Sequence, residues 1–359
     1  ENAKDWNFSR KRYWGCPIPI WVNENDSNDI IVIGSIEELT KYSGITPNDL
    51  HRESIDNIII THNGCNYKRI EDVMDCWFES GSMPYAKDGK LNSELIPAEF
   101  ICEGLDQTRG WFYTLLVIST ILDDKAPYKN VIVNGLVLAE DGKKMSKRLN
   151  NYPDPNDIIN KYGGDSLRYY LLFSGASYGN SLCFKDNEVR NISNNVINGL
   201  YNSCNFYKGY LNLALKKQLI TFEELDNSSF ISNTNISDIW VKSLTYKLFL
   251  NIKEKMDKYE LKNIGDMIMK YVDNLNNSYI RMNRDRFRDS EKHALITLHT
   301  VLRNLSIILA SFTPFISEYI YNSIGYSESV HNKSFKYIIK PLDYDNSIIT
   351  KFEIMIDII

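Results

Sequence analysis

No two of the six cysteines, at positions 16, 65, 76, 102, 183 and 204, stand at CxxC spacing. Six reduced thiols in a cytoplasmic protein are therefore expected, and no protein-bound metal. No apolar run approaches the ~18 residues of a membrane span, so no membrane partner is expected. No stretch has the pattern of a secretory leader. Positive charge is not in excess either: 41 Lys and Arg stand against 46 Asp and Glu, a net charge of −5. That mean leaves nucleic acid open, because phosphate is held by local basic patches. Internal repeats and low-complexity tracts are missing from the 359 residues, and so is an initiator Met. The opening Glu-Asn-Ala reads as the continuation of a longer chain.

What is present falls into two halves. Residues 1–22 are rich in Trp and Arg and end in Cys16-Pro17-Ile18-Pro19-Ile20-Trp21. Two prolines so spaced exclude a helix interior or a central strand and predict an extended edge. Residues 23–72 read as a small insertion with β-like runs at 30–33 and 58–61. Within it a helix is predicted over 35–43, with Ser35 as N-cap and Glu38 completing a capping box. From 97 to 185, strand and helix alternate: strand 99–102, helix 108–122, strand 130–138, helix 154–172. That alternation predicts a parallel sheet with functional residues at its C-terminal edge. After about residue 186 the apolar residues recur at helical spacing, as at Trp240, Leu244, Leu248 and Ile252, or Leu295, Leu298, Leu302 and Leu305. An antiparallel helical bundle is predicted, with a loop over 216–238 and a stop or kink at Pro314.

Three constellations carry chemistry. The strand ending in Gly135-Leu136-Val137-Leu138 runs into Asp141-Gly142-Lys143-Lys144-Met145-Ser146-Lys147-Arg148. Such a loop presents four positive charges and a hydroxyl, which suits a polyphosphate but also suits a solvated basic turn. The segment Glu103-Gly104-Leu105-Asp106-Gln107-Thr108-Arg109-Gly110-Trp111-Phe112 lies between a strand and a helix. Its acids could bind an ammonium or ribose hydroxyls, or simply satisfy the next helix's amides. Finally, Arg281, Arg284 and Arg288 fall within about 60° on one helical stripe, with Arg286 turned away. They could hold phosphates or form a solvated face.

A family resemblance narrows these choices. Lys144–Arg148 is similar to the KMSKS signature of class I aminoacyl-tRNA synthetases, departing from it at Arg148. The 103–112 string, with Asp75-Cys76-Trp77-Phe78-Glu79-Ser80-Gly81-Ser82, resembles the isoleucyl-tRNA synthetases. Residues 34–39, 79–85 and 133–142 resemble their eukaryotic cytosolic branch. Residues 5–19 are similar to the segment where that family's chain re-enters the catalytic domain after its editing insertion, and are expected to be largely structural, with Arg10 or Arg12 near the tRNA acceptor end. Residues 277–284 and 310–318 resemble its anticodon-binding bundle, although the family commonly has Trp where Ser278 stands.

The resemblance implies an α/β Rossmann-like parallel sheet, the second half of a class I catalytic domain, over 1–185. An all-α antiparallel bundle for the anticodon would follow over 186–325, with 326–359 a weakly matched extension. It implies that Lys144, Ser146 and Lys147 are catalytic. Lys144, Met145, Lys147 and Asn134 would contact ATP; bacterial members commonly have His where Asn134 stands. Glu103, Gly104, Asp106 and Gln107 would contact isoleucyl-adenylate, between Trp77 and Trp111. Arg281, Arg284 and Arg288 would bind tRNA. The implied substrates are L-isoleucine, ATP with Mg²⁺, and tRNA(Ile). The family's second signature, His-x-Gly-His, is not found; the nearest string, His62-Asn63-Gly64-Cys65, lacks the second His and reads as a turn. The chain is thus expected to be incomplete for catalysis without the N-terminal half of such an enzyme. Valyl- or leucyl-tRNA synthetase, or a non-catalytic tRNA-binding fragment, are the alternatives.

Overall fold

The computed structural model describes residues 5–89, 94–227 and 235–358. The chain divides into two compact units, Glu1–Ile132 and Val133–Ile359.

In the first unit, strand Ser9–Arg10 pairs antiparallel with Val73–Met74. Between them the predicted insertion forms a four-stranded antiparallel sheet from Ile20–Asn23, Ile30–Val32, Ile60–His62 and Cys65–Arg69. Its own small core gathers Trp21, Ile33, Leu39, Ile55, Ile58, Ile60 and Tyr67. The Trp21 indole N–H donates to the Ile58 carbonyl at 2.8 Å, so the buried ring keeps its polar atom satisfied. Asn63 and Gly64 sit at φ 49° and 76° between the last two strands. Positive φ at both is what a two-residue hairpin turn requires, so the His62–Cys65 string is a turn. Helix Ile36–Ser43 starts after Ser35, whose hydroxyl accepts from the Glu38 amide at 3.1 Å. The Glu38 carboxylate reaches back one residue further than expected, to the Gly34 amide at 2.7 Å.

The rest of this unit carries helices Cys76–Gly81, Met83–Asp88 and Trp111–Asp123, with strand Ile101–Gly104 lying two residues later than predicted. That strand is preceded by a parallel bridge between Ala98 and Tyr128. A Cβ on Gly81 would lie 2.9 Å from Ile118 Cδ1 and 3.0 Å from Thr114, so the glycine lets helices Cys76–Gly81 and Trp111–Asp123 touch.

The strand predicted over 130–138 is two strands, Val131–Asn134 and Val137–Leu138. The break falls at Gly135, where a Cβ would lie 1.9 Å from the Asn180 carbonyl oxygen. Backbone passes so close there that only glycine fits. Val137–Leu138 pairs in parallel with Leu182–Cys183. Among the described residues parallel pairing occurs only in such two-strand pieces, and the widest sheet is the insertion's antiparallel one. Val131 and Val137 remain exposed, unlike strands covered on both faces. The helix predicted over 154–172 is likewise two, Pro155–Tyr162 and Gly164–Leu172, parted by Gly163 at φ 85°.

From Asp186 onward the described residues are helix and turn. Helices Asp186–Ile192 and Asn198–Lys216 are joined through a π segment, Ser193–Ile197. Helix Ile264–Asp273 continues through another, Asn274–Ile280. With Ile236–Asp257, Lys292–Leu309, Pro314–Ser323 and Asn346–Ile358 they enclose one core, including fully buried Val196, Leu200, Trp240, Ile252, Ile268 and Leu302. Pro314 stands at the first turn of its helix, where its missing N–H costs nothing. The predicted 216–238 loop holds a short helix, Phe222–Asn227, and its residues 228–234 lie outside those described. The segment after 326 is tied to the bundle. Phe352 stacks on Trp240 at 4.7 Å, and the Asn304 side chain bonds both polar groups of the Ile339 backbone.

Candidate functional site

In the first unit the structure brings Trp77, Gly104, Asp106, Gln107 and Trp111 into one turn-and-helix arrangement. Strand Ile101–Gly104 delivers Glu103, exposed at its end, and Gly104, on which a Cβ would lie 2.7 Å from Asp106 Oδ1. The chain then makes a 3-10 turn, Leu105–Arg109. Gln107 is fixed at both ends of its amide: Nε2 donates to Asp106 Oδ2 at 3.1 Å, and Oε1 accepts the Trp111 backbone N–H at 2.9 Å. It therefore aims the Asp106 carboxylate while capping the helix that carries Trp111. The Trp111 indole N–H donates to the Ser80 carbonyl at 3.2 Å, holding the ring against the helix that carries Trp77. Trp77 is 40% exposed, so this indole is not a core aromatic. Its Cη2 lies 3.5 Å from the position of a Gly110 Cβ, which places it beside the same turn.

Asp75, a residue whose role the sequence did not disclose, anchors the N-terminal end of Trp77's helix. It is 2% exposed, accepts from the Trp6 indole at 3.1 Å and pairs with Arg10 at 3.2 Å. Arg10 is thus engaged within the protein, donating also to the Asn7 and Ser9 carbonyls.

In the second unit the cationic loop begins as a tight hairpin. The Ala139 N–H donates to the Lys143 carbonyl and the Gly142 N–H to the Ala139 carbonyl, each at 2.9 Å, with Gly142 at φ 79°. Leu138 and Lys144 form an antiparallel bridge. Lys143 is held by Asp141 at 2.9 Å, and that contact keeps the Asp141 carboxyl below its ordinary pKa. Among the described residues Lys144, Lys147 and Arg148 make no ion pair; all three are exposed, while Met145 and Ser146 are half-buried. Past the hairpin, Asn151 bonds the loop backbone through both ends of its side chain. Asn134 closes strand Val131–Asn134, half-buried.

In the bundle the expected arginine stripe is interrupted. A π segment ends at Ile280, Asn283 breaks the helix, and Arg284–Arg288 is a separate turn. Arg288 pairs with Asp285 at 2.9 Å at the exposed surface, a contact worth little. Arg281 and Arg284 are exposed without an ion pair among the described residues. Arg284 lines a groove of ≈ 810 Å³ with Asn194, Asn202, Asn276, Asn277 and Lys270. Both π segments contribute asparagines to its lining.

The chain thus carries a cationic loop after strand Val137–Leu138, an acid-and-tryptophan turn after strand Ile101–Gly104, and a helical bundle from Asp186 onward. The description "tRNA synthetases class I (I, L, M and V)" matches residues 1–184, and "Anticodon-binding domain of tRNA ligase" matches residues 238–359. The chain belongs to the class I tRNA synthetase family.

Among its relatives, a probable cytoplasmic isoleucine–tRNA ligase of Enterocytozoon bieneusi is 45% identical over 90% of this chain and 34% of its own length. The cytoplasmic isoleucine–tRNA ligase of Arabidopsis thaliana is 42% identical over 92% and 29%. The isoleucine–tRNA ligase of Chlamydia trachomatis serovar L2 is 44% identical over 94% and 33%. The chain thus spans about a third of the length of the curated relatives it matches. The fold is similar to that in the ternary complex of Agrobacterium radiobacter K84 agnB2 LeuRS, with a TM-score of 0.66 at 18% identity over 96% of this chain and 43% of that one. Among the described residues no helix is long and apolar enough to cross a membrane.

Proposed function

We propose that this chain is the part of an isoleucine–tRNA ligase that supplies the adenylate cradle, the mobile phosphate loop and the anticodon bundle. The isoleucine carboxylate attacks the α-phosphorus of ATP, forming isoleucyl-adenylate and releasing pyrophosphate; the aminoacyl group then passes to tRNA(Ile). The observation that carries this reading is the Gln107 amide, bonded at both ends, which fixes Asp106 and Trp111 beside an exposed Trp77.

Two indoles form an apolar wall suited to a branched side chain. Glu103 and Asp106 supply charge for its ammonium and for ribose hydroxyls, and Gly104 admits close backbone approach. The unpaired Lys144 and Lys147 fit a triphosphate whose negative charge moves onto the leaving pyrophosphate. The Ser146 hydroxyl and the Met145 backbone complete the loop's contacts with the nucleotide, and Asn134 lies on the adenosine side. When bound, Mg²⁺ supplies charge neutralisation on the phosphates.

The relatives named isoleucine–tRNA ligase, at 42–45% identity, favour isoleucine over valine or leucine. The word cytoplasmic in their names favours that compartment. The test is pyrophosphate exchange by the full-length enzyme with each amino acid. Isoleucine should dominate, and a leucine rate equal to or above it would sink the reading.

For tRNA, Arg281 and Arg284 offer charge beside a groove of amide side chains that can pair with base edges. Replacing both by Ala should weaken tRNA binding and lower the slope of log K against log salt by about 1.4–1.8 if each neutralises one phosphate. Filter binding across a salt series checks this; an unchanged slope refutes a phosphate role for the pair.

A further inference from the structure

Beyond the hairpin, the loop that carries Lys144 and Lys147 has no strand partner among the described residues. Its local bonds are those of successive turns: the Leu149 N–H donates to the Ser146 carbonyl at 3.1 Å and the Asn150 N–H to the Lys147 carbonyl at 3.3 Å. Asn150 then adopts φ 46°, a left-handed conformation that Asn tolerates better than most residues. Asn151 follows that reversal. Its Oδ1 accepts the Ser146 N–H at 2.9 Å, and its Nδ2 donates to the Lys144 carbonyl at 3.1 Å. One side-chain amide thereby occupies the place of a missing β-strand, bonding one donor and one acceptor of the exposed loop. The two residues it grips bracket Met145, and Ser146 directly precedes Lys147. Among the described residues, every backbone bond of this segment that does not come from a neighbouring turn comes from Asn151 or from the Leu138–Lys144 bridge.

We propose that Asn151 is a positioning residue that straps the Lys144–Ser146 backbone and so sets where the Lys144 and Lys147 ammonium groups meet the phosphates. The proposal rests on the phosphate reading of that loop. A flexible loop with the same cations would reach the same phosphates, but only in a fraction of its conformations. A misplacement of about 1 Å can cost up to about 100-fold in rate. Only the acceptor of the strap survives in Asn151→Asp, so that variant should fall between wild type and Asn151→Ala.

Two measurements on the full-length enzyme test this. The first needs no ATP: trypsin cleaves after Lys144, Lys147 and Arg148, and its rate follows the population of the opened loop. Asn151→Ala should raise cleavage there about tenfold, and Asn151→Asp less. The second is isoleucine-dependent pyrophosphate exchange. Asn151→Ala should lower kcat about 10- to 100-fold while the KM for isoleucine and the thermal midpoint stay near wild type. Unchanged cleavage in both variants overturns the strap. Raised cleavage with unchanged exchange, while Lys147→Ala still loses exchange, overturns the positioning role. Normal exchange in Lys147→Ala overturns the phosphate reading and the proposal with it, whatever the cleavage rate.

Discussion

Replacing Lys147 by Ala in the full-length enzyme should lower isoleucine-dependent pyrophosphate exchange by about 10²–10³, or ~2.7–4 kcal/mol of transition-state stabilisation, the scale of removing one preorganised donor. The motive is positional. Of the three lysines in the loop, Lys143 is occupied by Asp141 at 2.9 Å, while Lys144 and Lys147 are exposed with no ion pair among the described residues. A cation already neutralised by a neighbour has less to offer a developing anion than one whose only competitor is water. Lys143→Ala is therefore the internal control and should change exchange by no more than about threefold, since exposed pairs such as Lys143–Asp141 contribute little. The KM for isoleucine should hold in both variants, because Trp77, Trp111 and Asp106 are untouched. Lys147→Arg should recover only part of the loss, since a planar guanidinium does not reproduce a point charge on a flexible stem. Exchange at the normal rate in Lys147→Ala, with Lys143→Ala equally active, would remove the loop from the chemistry.

Much of that site was legible because its residues are neighbours in the chain. Glu103, Gly104, Asp106, Gln107 and Trp111 fall within a single strand–turn–helix passage, and the Ser35 cap is as local. Contacts between distant residues were not legible in the residue pattern, and only the family resemblance brought Trp77 to the site. Trp77 stands beside the Gly110 turn because two helices touch at Gly81, a matter of packing rather than pattern. The unbroken β-branched run from Val131 concealed the break at Gly135, which is imposed by the Asn180 backbone. The π segments at Ser193–Ile197 and Asn274–Ile280 were hidden for a different reason. Each inserts extra rotation into an otherwise regular helix, and the apolar period on either side continues undisturbed. The helical wheel misplaced the arginines after 281 for another reason, the break at Asn283, which starts Arg284–Arg288 as a separate turn. Asn151 was local enough to read, but an asparagine in a loop has many backbone groups within reach, and sequence does not choose among them.

The wheel set Arg286 apart from its neighbours, and its partner lies far off in the chain: Asp238, in the first turn of helix Ile236–Asp257. Asp238→Ala should destabilise the second unit by about 3 kcal/mol, near the low end of the ~3–5 kcal/mol for breaking a buried ion pair. Asp238 is fully buried and satisfies three donors: the Tyr279 hydroxyl at 2.7 Å and both Arg286 Nη atoms at 2.9 and 2.8 Å. Burial pushes the Tyr279 phenol well above its ordinary pKa, so it remains a donor throughout the useful pH range. Burial would lower the Arg286 pKa, but its bonds to Glu291 and Asp238 outweigh that and raise it, so the guanidinium stays charged. Removing Asp238 therefore takes from a buried hydroxyl the carboxylate it bonds at 2.7 Å and leaves the guanidinium half-compensated. The estimate sits low in the range because Arg286 keeps Glu291 at 2.6 Å and is 17% exposed. For a unit of this size about 3 kcal/mol corresponds to a fall of ~6–12 °C in thermal midpoint. Removing both partners separates a lost charge pair from a lost acceptor for Tyr279: Asp238→Ala with Arg286→Met should be no worse than Asp238→Ala alone, since no buried charge is then left unpaired. The consequence reaches the groove, because Arg284 lies on the same short helix as Arg286. Loss of the pair should weaken tRNA binding at temperatures below the midpoint, through disorder of that helix and without altering the salt slope set by the phosphate contacts. A midpoint within about 2 °C of wild type in Asp238→Ala would show that Glu291 alone holds the corner together.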